Sequence, residues 1–275
     1  QMIEDRKKML HNQMFRSCHH GCYKYEEDGK ISRRTSSEIY LKNIKNKPVD
    51  IIPKTVTLQI SSDCNLACAY CSGDFSSKWR RELKRHGPIG INKMSNFNMM
   101  QDKLKQKART QNNKLYNTLQ QALSNKGVEE IAITGGEPLL NAETFDLLNK
   151  YAKDKPFHIT TGLKISEQRL QKLLDAPYKE NITINVSAET TEEHFEFIRY
   201  GMQWKKWVET VERIKASGIN IIFLSTINNL SLFKFKEFVD KYPTHTITQN
   251  LLTWPFYLQS HILDNDSKEI ITKQF

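Results

Sequence analysis

Short apolar runs alternate with amphipathic stretches between residues 55 and 252 of the chain. Runs of four to eight residues that are rich in β-branched and aromatic side chains are typical of buried strands. These runs predict six strands, at residues 55–61, 131–134, 157–161, 182–189, 220–226 and 245–252.

Apolar residues three or four positions apart predict helices between these strands. The predicted helices are at residues 115–127, 143–154, 166–175, 203–218 and 231–242. Ser166 and Ser231 stand at two expected N-caps, where a serine hydroxyl can accept a free backbone N–H. Trp204 and Trp207 fall on one helical stripe, which indicates core packing.

This alternation predicts an α/β fold with a parallel sheet, because parallel strands need a crossover connection. A doubly wound sheet and a partial or full barrel both fit the order. In either architecture, functional side chains gather at the carboxyl ends of the strands.

The composition indicates a polar surface and no membrane segment. The 275 residues are 38% hydrophobic, with a mean hydropathy of −0.61. No run approaches the ~18 apolar residues of a membrane span, and the charged N-terminus does not resemble a secretory signal. We therefore expect a cytoplasmic protein.

Most of the net charge of +10 lies in one segment, residues 78–114, with eleven basic and two acidic residues. We treat residues 76–114 as a basic insert that follows the first strand. It is either an electrostatic guide for nucleic acid or an acidic peptide, or an exposed, solvated loop.

The chain has five cysteines, and three of them, Cys64, Cys68 and Cys71, directly follow the first strand. An odd number so close together does not suit disulfides and favours metal-bound thiolates in a reduced compartment. Zinc would need a fourth ligand such as His19, His20 or His86. A [4Fe–4S] cluster held by three cysteines would keep one iron open.

The pattern Cx3Cx2C, with Tyr70 before its last cysteine, resembles the radical S-adenosylmethionine (SAM) superfamily. "TGGEP" at residues 134–138 and "NVSAE" at residues 185–189 agree with it, and the resemblance covers about residues 55–263. It implies a partial (β/α)6 barrel whose three loop cysteines hold a [4Fe–4S] cluster. The cluster would bind SAM and, with one electron from an external donor, cleave it to methionine and a 5′-deoxyadenosyl radical that takes hydrogen from a substrate.

The resemblance also implies residues that bind SAM. They are Tyr70, Gly135, Gly136, Glu137, Ser187, Glu189 and Arg199. Glu137 would accept from the SAM ammonium, Arg199 would pair with its carboxylate, and Ser187 and Glu189 would contact the ribose. Glu189 departs from the usual aspartate. The alternatives are an ordinary turn at residues 134–138 and a solvated surface arginine. Ser225 and Asn228 are weaker candidates.

Residues 1–48 resemble a shortened SPASM-like, or twitch, element that binds an auxiliary iron–sulfur cluster, ahead of a radical SAM core at residues 49–275. The matching residues are Cys18, Cys22, Glu26, Gly29, Ser32 and Arg33. The spacing is Cx3C rather than the usual CxxC. The alternatives are an adventitious pair or a small zinc site with His19 and His20. Because the chain opens at Gln1, we expect further cysteines upstream in a longer protein.

The substrate is not set by these motifs. A peptide is the first prediction, since enzymes with auxiliary clusters often modify peptides. RNA or a nucleotide is the alternative, because of the positive charge. A zinc-stabilised RNA-binding module is a distant third.

Overall fold

The computed structural model describes residues 13–32, 54–87 and 126–274, with single residues or pairs among 4–11 and at 35, 123 and 124. The chain divides into two compact units, Gln1–Pro53 and Lys54–Phe275. The predicted helix at 115–127 lies mostly outside the described residues, and residues 88–114 of the basic insert lie wholly outside them.

The second unit is built on one sheet of six parallel strands in sequential order, which confirms the predicted α/β fold of the partial-barrel type. The strands are β1 Thr55–Gln59, β2 Glu130–Thr134, β3 Phe157–Thr161, β4 Ile182–Ser187, β5 Asn220–Ile227 and β6 Thr246–Leu251. Every predicted strand is present, and its ends agree with the prediction to within two residues.

One row of aliphatic side chains crosses the sheet and explains the register. Leu58, Ile133, Ile159, Ile184 and Ile221 pair in turn across five neighbouring strands, and all are buried. A slip of one residue would turn a strand's apolar set to the other face, so this row fixes the pairing.

Eight α-helices are described, and they confirm the predicted helices after residue 140. They are α1 Lys24–Glu27, α2 Ser77–His86, α3 Ala142–Tyr151, α4 Glu167–Leu174, α5 Glu192–Ile198, α6 Trp204–Ala216, α7 Leu232–Lys241 and α8 Asn265–Thr272. Ser166 caps α4 by accepting from the backbone N–H of Arg169. No helix in the described ranges is both long and apolar enough to cross a membrane.

The prediction that the Ser231 side chain caps α7 is wrong, although the position of the residue is correct. Ser231 stands at the N-cap, but its hydroxyl makes no cap bond and instead donates to the carbonyl of Asn228. The Asn228 side chain accepts from the backbone N–H groups of Leu230 and Ser231. Asn228 is therefore a structural residue that closes the turn after β5.

The tryptophan stripe packs in the core, as predicted. The Trp207 ring is buried and lies 4.8 Å from Phe195 and 5.2 Å from Trp204, between ring centroids. Its indole Nε1 donates to the carbonyl of Gly162 just beyond β3. Truncation of so large a buried ring typically costs about 3–5 kcal/mol.

The basic insert does not begin as a loop. Its residues 77–86 form α2, whose N-cap Ser76 accepts from the backbone of Trp79. Arg80 points inward and donates to the carbonyl of Gly73 at 2.9 Å and to the hydroxyl of Ser62 at 3.0 Å. Arg80 is therefore a structural residue, and the interpretation of this part as a solvated loop is wrong.

Candidate active site

The segment of residues 60–76 between β1 and α2, called the cysteine loop, carries Cys64, Cys68 and Cys71 at the carboxyl edge of the sheet. Two of its backbone N–H groups donate to the end of α5. Ala67 N donates to the carbonyl of Tyr200 at 3.0 Å, and Ala69 N to that of Ile198 at 2.7 Å. The loop is therefore fixed by a segment about 130 residues away in sequence.

Helix α2 supports the other side of the cysteine loop. The Trp79 indole donates to the carbonyl of Cys68 at 2.9 Å, and the Ser76 hydroxyl donates to that of Leu66 at 2.6 Å. The hydroxyl of Ser77 lies 2.9 Å from the Cys64 carbonyl and accepts from the Cys64 backbone N–H at 3.0 Å. These bonds satisfy polar groups that an irregular loop would otherwise leave unpaired.

The turn after β2 packs directly against the cysteine loop. Gly136 N donates to the carbonyl of Ser61 at 3.1 Å, and Glu137 N to that of Asp63 at 2.7 Å. A Cβ on Gly136 would lie 2.4 Å from the Asp63 oxygen. Gly135 has a φ of +130°, and a Cβ there would lie 2.6 Å from the Ser61 oxygen. The two glycines thus allow a close approach to the chain itself, in addition to any ligand.

The Glu137 carboxylate is buried and joins the ends of β2 and β3. One oxygen accepts from Leu139 N at 3.3 Å and from the Thr161 hydroxyl at 2.5 Å, and the other accepts from Gly162 N at 2.9 Å. Burial raises the pKa of Glu137 to about 7, and these hydrogen bonds limit the rise. Since a carboxylate has about four acceptor directions, at least one remains for a further donor.

Tyr70, Glu189 and Arg199 form one buried network. The Arg199 guanidinium lies 2.6 Å from a Glu189 oxygen and 2.6 Å from the Tyr70 hydroxyl, which itself donates to Glu189 at 3.1 Å. Burial raises the pKa of Tyr70. Burial alone would lower the pKa of Arg199, but the nearby Glu189 charge raises it, so the guanidinium stays charged.

This network joins three separate parts of the site. Tyr70 belongs to the cysteine loop, Glu189 follows β4, and Arg199 ends α5. The sequence did not predict that these residues contact one another. Arg199 is buried, so the alternative of a solvated surface arginine is wrong. Its Nε atom has no hydrogen-bond partner among the described residues, so one donor is available to a ligand.

A family model of the radical SAM superfamily matches residues 58–241, about two thirds of the chain. The chain belongs to the radical SAM superfamily.

Individual relatives are distant from this radical SAM protein. A probable GTP 3′,8-cyclase of Archaeoglobus fulgidus is 23% identical over 208 residues, which cover 72% of this chain and 60% of the relative. SuiB of Streptococcus suis bound to S-adenosylmethionine is 17% identical, with a TM-score of 0.49 over 87% of this chain and 50% of that one. The structure of anSMEcpe with bound AdoMet is 17% identical, with a TM-score of 0.45 over 74% of this chain and 55% of that one. The chain thus spans only about half to three fifths of these relatives.

The cysteine loop carries the three residues that the sequence predicts as ligands of an iron–sulfur cluster. All three cysteines are free thiols, and the backbone N–H of Leu66 donates to the sulfur of Cys64 at 3.4 Å. Burial raises the pKa of Cys68 to about 12 and that of Cys71 to about 11, so a bound metal must displace their protons. Among the described residues, no three His, Cys, Asp or Glu side chains converge on a single metal ion.

Three further predicted residues, Ser187, Ser225 and His86, have the following positions and contacts. Ser187 is the last residue of β4, opposite Leu224 of β5. Ser225 is buried and donates to the carbonyl of Ala188 at 2.7 Å. His86, one candidate zinc ligand, is exposed at the end of α2, with its Nε2 atom 3.5 Å from Glu82. The sequence did not indicate Thr161 as a partner of Glu137, since nothing local distinguishes that threonine.

The first unit holds the second pair of cysteines. Cys18 ends a 3-10 turn and Cys22 lies on the π-helical turn His19–Tyr23 that follows. Farther on, the Ser32 hydroxyl donates to Glu26, and Gly29 adopts a φ of +70° after α1. Glu26, Gly29 and Ser32, which match the twitch element, thus also lie at the C-terminal end of α1 and stabilise it. Arg33 and the His20 side chain lie outside the described residues.

Proposed function

We propose that this radical SAM enzyme modifies a peptide. A [4Fe–4S] cluster on Cys64, Cys68 and Cys71 would supply the electron that cleaves SAM and yields a 5′-deoxyadenosyl radical, which takes hydrogen from the peptide. The chain supplies orientation and shields the reaction from water. The buried site around the cysteine loop is suited to both tasks.

Binding of SAM is assigned to the groups that border the cysteine loop. Gly135 and Gly136 present backbone close to the cysteines, and the Glu137 carboxylate keeps an acceptor direction for the SAM ammonium. The free Nε donor of Arg199 suits the SAM carboxylate. Ser187 and Glu189 remain proposed ribose contacts, although Glu189 would have to share its oxygens with Tyr70 and Arg199.

The proposal of a peptide substrate rests on the edge strand β6. It pairs with β5 along all six of its residues, and no strand in the described part of the chain pairs with its other edge. Large apolar side chains are exposed at its last residue and just beyond it, namely Leu251, Trp254 and Phe256. An exposed edge can bind an extended peptide through backbone hydrogen bonds, with apolar contacts for specificity.

A nucleotide substrate is the second candidate. The relative from Archaeoglobus fulgidus is named for a reaction of GTP, and α2 exposes Arg81, Lys84 and Arg85. We retain two further proposals. Cys18 and Cys22 would contribute to an auxiliary iron–sulfur cluster, and the enzyme would work in a reduced compartment such as the cytoplasm.

Deuterium transfer can identify the substrate class. Cells are grown in heavy water, and their extract is separated into peptides, nucleotides and RNA. Each fraction is incubated anaerobically with the reconstituted enzyme, SAM and dithionite. Abstraction from a deuterated substrate yields deuterated 5′-deoxyadenosine, which mass spectrometry detects. We expect it in the peptide fraction, whereas label only with nucleotides or RNA would overturn the proposal.

A matched variant tests the role of β6. Gln249→Pro removes one backbone N–H from a strand that peptides would extend, and exposed Thr248→Ala is its control on the same strand. If the edge binds peptide, the proline variant should raise the KM for peptide and leave dithionite-driven SAM cleavage without peptide unchanged. An equal KM in both variants would remove β6 from the proposal.

A further inference from the structure

A basic groove lies beside the cysteine loop and contains none of the residues assigned to the cluster or to SAM. We call it the lysine groove, a cavity of about 670 Å³. The residues used in the argument are Lys78, Lys164, Glu196, Tyr200, Gly201 and Lys206.

Two ammonium groups converge in the lysine groove. A Cβ on Gly201 would lie 2.5 Å from Nζ of Lys78 and 3.3 Å from Nζ of Lys164, so both amines lie next to one backbone point. The Lys78 amine also sits 4.4 Å from the centre of the Tyr200 ring. Burial, together with the charge of Lys78, lowers the pKa of Lys164. The groove is therefore a place where like charges are brought together.

In the described part of the chain, few carboxylates offset the positive charge of the lysine groove. Neither Lys78 nor Lys164 has a carboxylate partner among the described residues. Glu196 lines the groove, but one of its oxygens accepts from the backbone N–H of Trp204 at 2.7 Å. Exposed Lys206 adds a third positive charge. An anionic partner would relieve this repulsion.

The lysine groove is bonded to the cysteine loop through the backbone. Lys78 N donates to the carbonyl of Cys64 at 3.1 Å, and the Asn65 side chain donates to the carbonyl of Lys164 at 2.7 Å. A Cβ on Gly201 would lie 3.4 Å from the carbonyl oxygen of Asn65. A partner in the groove would thus lie directly beside the first predicted cluster ligand.

We propose that the lysine groove is the docking site for an acidic one-electron donor protein. The chemistry of the superfamily consumes one electron from outside for each SAM that it cleaves. In the transfer, the reduced flavin or iron–sulfur centre of the donor would lose one electron, and a cluster held by Cys64, Cys68 and Cys71 would accept it, with no proton moved and no bond formed or broken. The proposal rests on family membership and is independent of the peptide assignment.

Charge and location together favour this occupant. Complementary charge speeds encounter and fixes orientation without requiring a deep pocket. The groove is separate from the SAM residues, so donor and SAM can bind together. Helix α2, which begins with Lys78 in its first turn, also exposes Arg81, Lys84 and Arg85 and extends the positive surface.

Binding to the cluster-free protein is the first test. The probe is a purified oxidised flavodoxin, a small acidic flavoprotein, titrated by calorimetry at low and high salt. The variant combines Lys78→Gln, Lys164→Gln and Lys206→Gln. Its control removes three exposed lysines elsewhere, with Lys153→Gln, Lys172→Gln and Lys268→Gln. We expect at least tenfold weaker binding in the groove variant only, with a reduced dependence on salt.

In the enzyme that carries its cluster, a comparison of two reductants distinguishes a role of the lysines in donor docking from a role in SAM cleavage. With flavodoxin as donor, the groove variant should form 5′-deoxyadenosine at least tenfold more slowly. With dithionite, a small reductant that needs no docking site, its rate should match that of the control. The single variant Lys206→Glu repeats the test at an exposed residue that cannot disturb the core.

Three outcomes would overturn the proposal. Unchanged flavodoxin binding in both groove variants would show that the donor docks elsewhere. Equal losses with flavodoxin and dithionite would assign the lysines to the cysteine loop or to SAM. A raised KM for the substrate with unchanged donor binding would make the groove a substrate site. Absence of dithionite-driven SAM cleavage in the wild type would instead count against the proposed function.

Discussion

The cysteine loop and the segment around Cys18 and Cys22 both place cysteines three or four residues apart, but they are held differently. The cysteine loop is hydrogen-bonded to the C-terminal end of α5, to the turn after β2 and to α2. Between described residues of the N-terminal segment the hydrogen bonds are local, as between Tyr23 and Gln13 or Ser32 and Glu26.

This difference shows that similar cysteine spacings can lie in segments that are supported by different parts of the chain. A scaffold that orders the loop before metal binds reduces the conformational entropy lost on binding. Elements distant in sequence order the cysteine loop, whereas the N-terminal pair lies on a short helical turn. We therefore expect variants of the two regions to differ in metal retention and in stability.

Loss of a loop cysteine should have the largest effect. Cys64→Ala, Cys68→Ala or Cys71→Ala should each abolish SAM cleavage, because two thiolates hold a cube poorly. Cys18→Ala and Cys22→Ala should retain the cleavage and about four irons per chain. Iron analysis and 5′-deoxyadenosine assays check this. Product from any loop variant would refute the cluster assignment, and complete loss in an N-terminal variant would refute the contrast.

Removal of Arg199 should cause the next largest change. Arg199→Met leaves the buried Glu189 with the Tyr70 hydroxyl but without its positively charged partner, and should cost about 3–5 kcal/mol of unfolding free energy. Lys30→Met removes an exposed pair with Asp28 and should change stability very little. Urea unfolding of the cluster-free protein measures both. The double variant with Glu189→Gln should recover part of the loss, and equal effects of Arg199→Met and Lys30→Met would contradict the network.

The buried Glu137 should make the stability of the core unit depend on pH. Its folded pKa of about 7 lies above its ordinary value near 4.5, so the folded state holds the proton more tightly. Stability should be greatest below the ordinary value and decrease as the pH rises toward 7, by about 1.4 kcal/mol for each unit of pKa difference. Urea unfolding from pH 4.5 to 8 should show this slope in the wild type and a flatter one in Glu137→Gln. Identical slopes would mean that Glu137 titrates normally.

A pair of glycine substitutions should give the smallest effects. Gly136→Ala places a carbon 2.4 Å from the Asp63 oxygen and should shift the cysteine loop, with a cost of about 1–3 kcal/mol. Gly29→Ala meets no atom within 4 Å and is opposed only by its positive φ, at about 1 kcal/mol. The iron content retained per chain should fall in Gly136→Ala and stay unchanged in Gly29→Ala. Full retention in Gly136→Ala would show that the cysteine loop tolerates displacement.

Local patterns determined much of the fold. The span of β3, Phe157–Thr161, follows from its apolar alternation, and the cap at Ser166 follows from a serine before an amphipathic run. Both depend on interactions between residues a few positions apart, which periodicity records directly. The order of the strands did not follow from these patterns, because a doubly wound sheet and a barrel fit the same alternation; the sequential order β1 to β6 was expected only from the family resemblance.

The cysteine positions and their likeness to a family were also readable in the sequence, but the contacts around them were not. The hydroxyl of Tyr70 meets Arg199 across 129 residues of chain, and Gly136 approaches Asp63 across 73. Such contacts depend on where whole elements meet, and no local pattern records that. Lys164, one of many lysines in the sequence, gained its significance only when folding brought it beside Lys78 and the cysteine loop.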